Sequence, residues 1–185
     1  MTQETLQDKS KFLSFVLRHR PEAIGIFLDK DGWVNVSTLL KATQLTKTPL
    51  TLDDLREIVA TDSKGRYSFT QNEERIRANQ GHSTSQVRLT FAKGVPPPLL
   101  YHGADNKALG QIMRVGLLPV KRHYVHLSAD RETAEAVGGR RRSGYTVIEI
   151  DAARMVAEGH TFFISDNGVW LAETVPARYL KELRS

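Results

Sequence analysis

The residues whose types and spacing best suit chemistry are Arg18, His19 and Arg20, which follow one another directly along the chain. Guanidinium groups bind phosphate oxygens through a fork of N–H donors, and an imidazole beside them adds another donor. The same cations could equally do no more than complement the dipole of a helix C-terminus, a contribution of about 0.3–1 kcal/mol each. The stretch therefore favours either a phosphate site or an ordinary helix end.

A core-facing helix is predicted to position these three residues. Phe12, Phe15 and Val16 stand at the i, i+3, i+4 spacing that places apolar side chains on one helical face, as do the neighbouring leucines. Pro21 follows, and a proline disfavours the helical conformation of the residue before it. We therefore expect the helix to end at Arg20, with the cations in its last turn.

The composition indicates a globular protein that could bind a polyanion. The 185 residues include 26 Lys and Arg against 21 Asp and Glu, which gives a net charge of +5. This charge is consistent with a nucleic-acid partner, although many soluble proteins are mildly basic. Cysteine is absent, which excludes disulfides, thiolate metal sites and cysteine nucleophiles and is consistent with a reducing compartment.

The chain shows no predicted targeting or membrane segment. Residues 1–5 have no basic cluster leading into an apolar run, as a secretory signal would require. No stretch approaches the ~18 apolar residues of a membrane span. We therefore expect a cytoplasmic protein without a membrane partner.

The first half of the chain is predicted to contain three helices followed by short strands. Ser37 can cap a second helix, and Thr51 with Asp54 forms a capping-box pattern at the start of a third. Residues 66–69 alternate as a strand, and residues 75–83 are predicted to form an edge strand and a solvated loop. Three helices with short strands in a basic context are typical of a winged-helix domain.

The second half has the pattern of a mixed α+β domain. Three consecutive prolines at 96–98 stiffen the connection before it, and we place the boundary so that the domains comprise residues 1–93 and 94–185. Short apolar strands then alternate with short helices, and residues 145–150 form the strongest strand pattern. We therefore expect an α+β fold in two lobes.

The second half is rich in His, Ser, Gly and Arg but contains no familiar cofactor motif. His102 and Gly103 are predicted to lie at a strand end, where a glycine would let the backbone approach a ligand closely. A turn is the commoner explanation of such a pair, and His126 is predicted to be an ordinary packed or hydrogen-bonded histidine. Neither a P-loop nor a dinucleotide fingerprint is present, and no spacing of residues predicts a metal site.

A set of motifs spread over nearly the whole chain is more specific than any one of them. In order they are Leu17-Arg18-His19-Arg20-Pro21, Asp31-Gly32-Trp33-Val34, Arg75-Ile76-Arg77-Ala78-Asn79-Gln80-Gly81-His82-Ser83, Tyr101-His102-Gly103, Val125-His126-Leu127-Ser128 and Asn167-Gly168-Val169-Trp170-Leu171. Together they closely resemble the RNA 2′-phosphotransferase family, also called tRNA 2′-phosphotransferases.

The resemblance implies a role for each half. It implies an N-terminal winged-helix lobe that binds RNA and a C-terminal ADP-ribosyltransferase-like lobe that binds NAD as a co-substrate. The family's catalytic positions fall on Arg18, His19, Arg66 and Arg122. Its NAD-binding positions fall on His102, Gly103 and Ser128, with Gly116, Asp130 and Thr133 as neighbouring positions.

Two residues depart from the family's usual pattern. Ala104 stands where a threonine commonly follows the His-Gly pair, and Tyr124 stands where histidine is common. The first change removes a hydroxyl that could contact the co-substrate. We expect both to change affinity rather than the reaction, because neither falls on a catalytic position.

The resemblance also implies a reaction in two steps. An internal RNA 2′-phosphate attacks the anomeric carbon of the nicotinamide ribose, nicotinamide leaves, and an RNA-2′-phospho-ADP-ribose intermediate forms. The ribose 2″-hydroxyl then attacks phosphorus and releases RNA with a 2′-hydroxyl and ADP-ribose 1″,2″-cyclic phosphate. The expected partner is RNA with an internal 2′-phosphate, such as a tRNA splicing product, and we expect the protein to act as a monomer.

Two other functions are compatible with the residues. A non-catalytic RNA-binding module would explain the basic charge but not the second lobe. An ADP-ribosyltransferase acting on another acceptor would also use NAD, but such enzymes commonly need a glutamate near the nicotinamide ribose, and the sequence offers no clear candidate. An assay that measures NAD consumption and loss of phosphate from a 2′-phosphorylated RNA would distinguish the three functions.

Overall fold

A computed structural model describes residues 5–120, 122–139 and 143–183. The helices in these ranges are α1 (Leu6–Arg18), α2 (Val36–Thr43), α3 (Leu52–Thr61), α4 (Asn106–Val115), α5 (Arg131–Gly138) and α6 (Ala152–Ala157). The strands are β1 (Val34–Asn35), β2 (Tyr67–Phe69), β3 (Arg75–Ala78), β4 (Ala92–Gly94), β5 (Leu99–Asp105), β6 (Val125–Leu127), β7 (Tyr145–Asp151), β8 (Phe162–Ile164), β9 (Trp170–Ala172) and β10 (Leu180–Leu183). Helices and antiparallel sheets together confirm the predicted α+β class.

The chain divides into two compact units, one up to Thr90 and one from Phe91 onward. The first unit contains α1–α3 and β1–β3, and the second contains the other elements. The predicted boundary between Lys93 and Gly94 falls within β4, which pairs with β8 of the second unit. The roles predicted for the two halves, a winged helix for RNA and an ADP-ribosyltransferase-like lobe for NAD, stay predictions.

Apolar side chains from α1 anchor that helix in the core of the first unit. Leu13, Val16 and Leu17 are completely buried, because their spacing places them on one face of the helix. Phe15 was expected on the same face but is 43% exposed. Full burial of each such side chain stabilises the fold by about 1.5–3 kcal/mol, so this face holds α1, and with it Arg18, in a defined position.

The C-terminus of α1 lies earlier than the sequence predicts. Its last helical residue is Arg18, and His19 caps the helix by donating its backbone N–H to the carbonyl of Phe15. Arg20 has φ −139° and ψ 59°, outside the helical region, as expected for a residue that precedes proline. Pro21 begins a short 3-10 turn. The three consecutive cationic or titratable residues therefore have different backbone conformations.

The helix starts of the first unit confirm one predicted cap and correct another. The hydroxyl of Thr51 accepts from the N–H of Asp54 at 3.1 Å, and the Asp54 carboxylate accepts from the N–H of Thr51 at 2.9 Å. This is the predicted capping box. The cap of α2 is Asn35, whose side chain accepts from the N–H of Ser37, and not Ser37 itself. An asparagine side chain is among the best N-caps.

β3 is the central strand of the sheet in the first unit, which has the order β1-β3-β2. Val34 lies opposite Ile76, and Ser68 lies opposite Arg77. The prediction of an edge strand is therefore wrong, because alternation along a strand indicates which face is buried but not how many partners the strand has. Ile76 is completely buried, so Arg77 lies on the other face of the sheet.

The second unit contains two antiparallel sheets, with the orders β10-β7-β5 and β4-β8-β9-β6. Tyr101 of β5 and Ser128, which follows β6, exchange both of their backbone hydrogen bonds. This pairing connects the two sheets. Leu100, Ile150 and Phe162 are buried in the core of this unit.

β5 is longer than the predicted strand and contains both His102 and Gly103. His102 lies opposite Ile148 of β7, and the pairing continues to Asp105. The prediction that the His-Gly pair stands at a strand end is therefore wrong. The strand ends where the Asp105 side chain accepts from the N–H of Lys107 and caps α4.

Candidate active site

Arg18 is a buried arginine at the end of α1. The residue is 7% exposed, which is rare for arginine unless it is paired. A Cβ atom placed on Gly81 would lie 3.6 Å from its Nη1 atom, and its guanidinium carbon lies 5.8 Å from the centre of the Tyr67 ring. Its carbonyl accepts from the N–H of Ser83 at 2.9 Å. The segment after β3 therefore contacts both the side chain and the backbone of Arg18.

His19 is held by the same segment. Its Nδ1 atom lies 2.9 Å from Oγ of Ser83, although the two residues are 64 positions apart in the sequence. A serine hydroxyl can donate or accept, so it can hold the ring in either neutral tautomer. The imidazole therefore has a defined orientation although His19 lies beyond the last helical residue.

Residues 79–84 form a largely buried segment, which corrects the prediction of a solvated loop. Asn79 is 5% exposed and His82 is 3% exposed. Gly81 has φ of 88°, in the region that favours glycine. The Asn79 amide donates to the carbonyl of Gly65 at 2.8 Å. This hydrogen bond offsets part of the cost of burying the Asn79 side chain.

Arg66 lies directly before β2 and is held by Asp62 and Asn79. Its Nη1 atom donates to Oδ1 of Asp62 at 2.6 Å, and its backbone N–H donates to the same carboxylate. Its carbonyl accepts from the N–H of Asn79 at 2.8 Å. The Asp62 side chain is only 5% exposed, so it fixes the guanidinium from a buried position. An arginine has five N–H donors, and a phosphate can therefore share this guanidinium with Asp62.

The three predicted catalytic residues of the first unit all contact the short segment 79–83. The Arg18 side chain packs against Gly81, and its carbonyl accepts from the N–H of Ser83. The His19 ring contacts the hydroxyl of Ser83. The carbonyl of Arg66 accepts from the N–H of Asn79. The structure thus brings two arginines and a histidine to one largely buried segment, which Arg66 contacts through its backbone. The fourth predicted catalytic residue, Arg122, belongs to the second unit.

Asp62, Asn79 and Ser83 hold the catalytic candidates in place, although no functional role is predicted for them from the sequence. Asp62 follows the last residue of α3 and opens a turn in which its carbonyl accepts from the N–H of Gly65. Asn79 and Ser83 belong to one of the motifs that carry the family resemblance. That motif was a signal for them, but which side chain each residue contacts depends on the fold.

The second unit contains a cavity of about 540 Å³. His102 and Arg122 contribute polar groups to its lining, whereas Ile112, Leu118 and Val120 contribute apolar surface. Ligand pockets in proteins measure about 300–1,000 Å³ and combine apolar walls with a few polar groups. The cavity therefore has the size and the lining of a small-molecule site.

The imidazole of His102 connects its strand to β6. Nδ1 lies 3.0 Å from the carbonyl oxygen of His126, and because a carbonyl only accepts, Nδ1 is the protonated donor in this contact. His126 lies on β6 and is hydrogen-bonded, as predicted: its own Nδ1 lies 3.0 Å from the carbonyl of Tyr124. Both histidines line the cavity, and each has one ring nitrogen fixed by backbone.

Gly103 and Gly116 have no room for a side chain, because the backbone of another segment lies close to each of them. A Cβ on Gly103 would lie 2.4 Å from the carbonyl oxygen of Ala134 in α5, and a Cβ on Gly116 would lie 2.3 Å from that of Val175. The reason inferred for Gly103 from the sequence is thus corrected, since the group that needs the space is α5 and not a ligand. Gly116 also lines the cavity. Contact of either glycine with NAD stays a prediction.

The other three predicted NAD-binding residues lie at and before the start of α5. Ser128 pairs through its backbone with Tyr101 at 2.8 and 2.9 Å. Asp130 caps α5 by accepting from the N–H of Thr133 at 2.7 Å and from its hydroxyl at 2.9 Å. None of the three lines the cavity. The structure therefore gives Asp130 and Thr133 a structural role and leaves their contact with NAD a prediction.

Two kinds of feature are absent from residues 5–120, 122–139 and 143–183. No helix in these ranges is long and apolar enough to span a bilayer. No group of three or more His, Cys, Asp or Glu residues in the same ranges could hold a metal ion.

The sequence matches one family of enzymes over most of its length. The family described as "RNA 2′-phosphotransferase, Tpt1 / KptA family" matches residues 4–174. A "Probable RNA 2′-phosphotransferase" of Rhizobium leguminosarum bv. trifolii is 50% identical over 181 residues, which cover 97% of this chain and 96% of the relative. The "RNA 2′-phosphotransferase" of Escherichia coli K12 is 46% identical over 179 residues, 97% of each chain. This chain therefore belongs to the RNA 2′-phosphotransferase, Tpt1 / KptA family.

Proposed function

We propose that the protein transfers an internal RNA 2′-phosphate to NAD, which serves as its co-substrate. Membership of the family supports an RNA 2′-phosphotransferase activity. The observation that carries the assignment of the site is that Arg18, His19 and Arg66 all contact the largely buried segment 79–83, Arg66 through its backbone carbonyl. Two arginines and a histidine anchored to one segment suit a compact group of high negative charge.

The burial of Arg18 supports a phosphate-binding role over a helix-dipole role. A dipole interaction needs only a charge near the helix end, which an exposed residue supplies without desolvation. Arg20 is such a residue: it is exposed, and its Nε donates to Glu22 at 2.6 Å. Arg18 is instead buried, and its packing against Gly81 and Tyr67 holds the guanidinium in one place, as a bidentate phosphate contact requires.

The residues of the second unit fit NAD as a co-substrate. The cavity combines a cation at Arg122 and an imidazole at His102 with apolar surface from Leu118 and Val120. Phosphate groups of a dinucleotide would bind to the cation, and a flat aromatic ring would pack on the apolar side. We therefore propose that the second unit is the ADP-ribosyltransferase-like lobe and that the first unit is the winged-helix lobe that binds RNA.

The first step needs positioning and charge cancellation rather than a base. A 2′-phosphate is already largely ionised near neutral pH, so one of its oxygens can form a bond to the anomeric carbon of the nicotinamide ribose. The carbon–nitrogen bond to nicotinamide breaks, and its electron pair neutralises the positive charge of the ring. We assign Arg18 and His19 to holding the phosphate during this step. Ser83 orients His19 and is a positioning residue.

The second step places more demand on the arginines. The ribose 2″-hydroxyl attacks phosphorus, the bond from phosphorus to the RNA 2′-oxygen breaks, and the proton ends on that oxygen. Charge spreads over the phosphoryl oxygens as this happens, where guanidinium groups stabilise it best. We assign Arg66 and Arg122 to this role. The products are RNA with a 2′-hydroxyl and ADP-ribose 1″,2″-cyclic phosphate. A tRNA is one candidate for the RNA substrate.

Nicotinamide release with matched RNAs tests the proposed acceptor. The protein is incubated with NAD and one oligoribonucleotide in three forms: with an internal 2′-phosphate, with only 2′-hydroxyls, and with only a 5′-terminal phosphate. We expect release with the first form alone. Equal release with all three would support an ADP-ribosyltransferase with another acceptor, and RNA binding without release would support a non-catalytic module.

A further inference from the structure

The outer face of the β1-β3-β2 sheet carries a tryptophan beside two arginines. Successive residues of a strand point to opposite faces, and Ile76 and Ala78 of β3 are completely buried. Arg75 and Arg77 therefore project from the outer face. Trp33, directly before β1, is on that face too, because the guanidinium carbon of Arg77 lies 4.6 Å from the centre of its ring.

The three side chains form a continuous surface, here called the Trp33 platform (Trp33, Arg75 and Arg77). The guanidinium carbon of Arg75 lies 5.9 Å from the ring centre, and Arg75 also forms an ion pair with Asp29. Arg77 donates to the carbonyl of Asp31 at 3.5 Å. All three platform residues are half-buried. An aromatic ring and two guanidinium planes are thus fixed in place yet partly open to solvent.

The Trp33 platform shares its sheet face with Arg66. The N–H of Asn79 donates to the carbonyl of Arg66 at 2.8 Å, which continues the pairing of β2 with β3. Ser68, opposite Arg77, points outward, and Arg66 precedes it by two residues, so strand alternation gives it the same direction. An RNA chain whose 2′-phosphate lies at Arg66 can therefore continue over the platform.

The chemistry of this face favours single-stranded nucleic acid over a protein partner. A cation–π contact can serve only to hold strands together, but bases also stack on aromatic rings and guanidinium planes, and arginines bind backbone phosphates. The other strand residues on this face, Asn35 and Ser68, are polar. A protein partner would find only one large apolar side chain there.

We propose that the Trp33 platform binds the single-stranded RNA that flanks the 2′-phosphate, with one base stacked against the pair that Trp33 forms with Arg77 and a backbone phosphate at the arginines. This inference rests on the proposed function, which places an RNA phosphate at Arg66. Stacking tolerates any base. The platform therefore makes affinity depend on the length and single-stranded state of the RNA rather than on its sequence.

Binding of an unphosphorylated RNA tests the platform directly. A labelled single strand of about eight nucleotides, with a hydroxyl at every 2′ position, is titrated with the full chain without NAD and followed by fluorescence anisotropy. Arg77→Gln should weaken binding about 5- to 20-fold. Arg56→Gln removes the same charge from α3, where Arg56 pairs with Glu73, and should change binding less than about 2-fold. Equal losses in both variants would overturn the platform.

Intrinsic fluorescence tests base stacking separately from charge. The chain contains two tryptophans, Trp33 and Trp170, so the difference between wild type and Trp33→Phe isolates the emission of Trp33. We expect the same RNA to quench this emission to saturation, and we expect Trp33→Phe to keep most of the affinity because phenylalanine also stacks. Emission of Trp33 that does not respond to bound RNA would overturn the stacking.

Transfer kinetics separate a failure of the platform from a failure of the proposed function. Arg77→Gln should raise KM for a 2′-phosphorylated RNA that extends several nucleotides beyond the phosphate and leave KM unchanged for a dinucleotide substrate. Unchanged KM for both substrates would contradict the platform while transfer itself stands. RNA binding at the platform without any transfer of phosphate would contradict the proposed function alone.

Discussion

The carbonyl oxygen of Arg18 accepts a hydrogen bond of 2.9 Å from the backbone N–H of Ser83, which joins the end of α1 to the segment after β3. The Ser83 hydroxyl contacts His19, and Gly81 packs against the guanidinium of Arg18. The helix end and this segment therefore form one structural unit. A substitution of Arg18 should therefore change the geometry of the candidate site as well as the charge at the helix end.

Arg18→Lys should lower the rate of phosphate transfer about 10-fold or more. Lysine keeps the charge but not the bidentate fork, and losing a charge-assisted contact of about 1.5–3 kcal/mol has an effect of this size. Single-turnover rates measure it, at a temperature where circular dichroism shows both proteins folded. Arg20→Lys is the matched control and should change the rate little, because Arg20 is exposed. A fully active Arg18→Lys protein would contradict the phosphate-binding role and indicate that Arg18 only complements the helix dipole.

Arg66→Ala should let the first step proceed and slow the second, so that ADP-ribosylated RNA accumulates. The charge that Arg66 is proposed to stabilise develops mainly when phosphorus is attacked. Labelled RNA followed on a denaturing gel shows the intermediate as a slower band. Arg56→Ala, an arginine of the same unit paired with Glu73, should show no such band. Equal slowing of both steps without an intermediate would disprove the assignment.

His102→Ala should raise the NAD concentration needed for half-maximal rate about 5-fold or more and leave RNA affinity unchanged. Losing a hydrogen bond or packing contact worth about 1 kcal/mol or more has this effect, and His102 lines the cavity proposed for NAD. Initial rates at increasing NAD concentration measure the first quantity, and a separate RNA titration measures the RNA affinity. His160→Ala is the control, since His160 does not line the cavity. A parallel fall in RNA affinity would show that the two units do not divide the ligands as proposed.

Gly103→Ala should destabilise the fold by about 1–3 kcal/mol, because a Cβ there would lie 2.4 Å from the carbonyl oxygen of Ala134. Chemical denaturation measures the change. Gly110→Ala is the matched control: a Cβ on Gly110 meets nothing within 4 Å, and alanine in a helix should stabilise by about 0.5–1 kcal/mol. If Gly103→Ala keeps full stability and loses NAD affinity, the glycine serves the ligand instead.

Local signals in the sequence predict those features of the fold that only neighbouring residues decide. The capping box of Thr51 and Asp54 is confirmed, because its two hydrogen bonds depend on residues three positions apart. Pro21 similarly indicates where α1 can no longer continue. Such features are decided within one turn of the chain and can be derived from it.

Features that depend on distant residues are the ones that sequence reasoning gets wrong. β3 is a central strand because β1 and β2 pair with it on either side. The sequence of residues 75–78 does not indicate either pairing. Gly103 lies within β5 because β7 pairs along its length. The burial of Asn79 depends on a carbonyl at Gly65, so a polar segment that resembles a loop becomes the support of the candidate site.

The fate of a labelled 2′-phosphate tests the proposed function most directly. An RNA with radioactive phosphorus only in one internal 2′-phosphate is incubated with the protein, with and without NAD, and the products are separated. We predict that the label leaves the RNA only when NAD is present and appears as ADP-ribose 1″,2″-cyclic phosphate, in the same amount as the nicotinamide released. Label released as inorganic phosphate without NAD, or NAD consumed while the label stays on the RNA, would contradict the proposal.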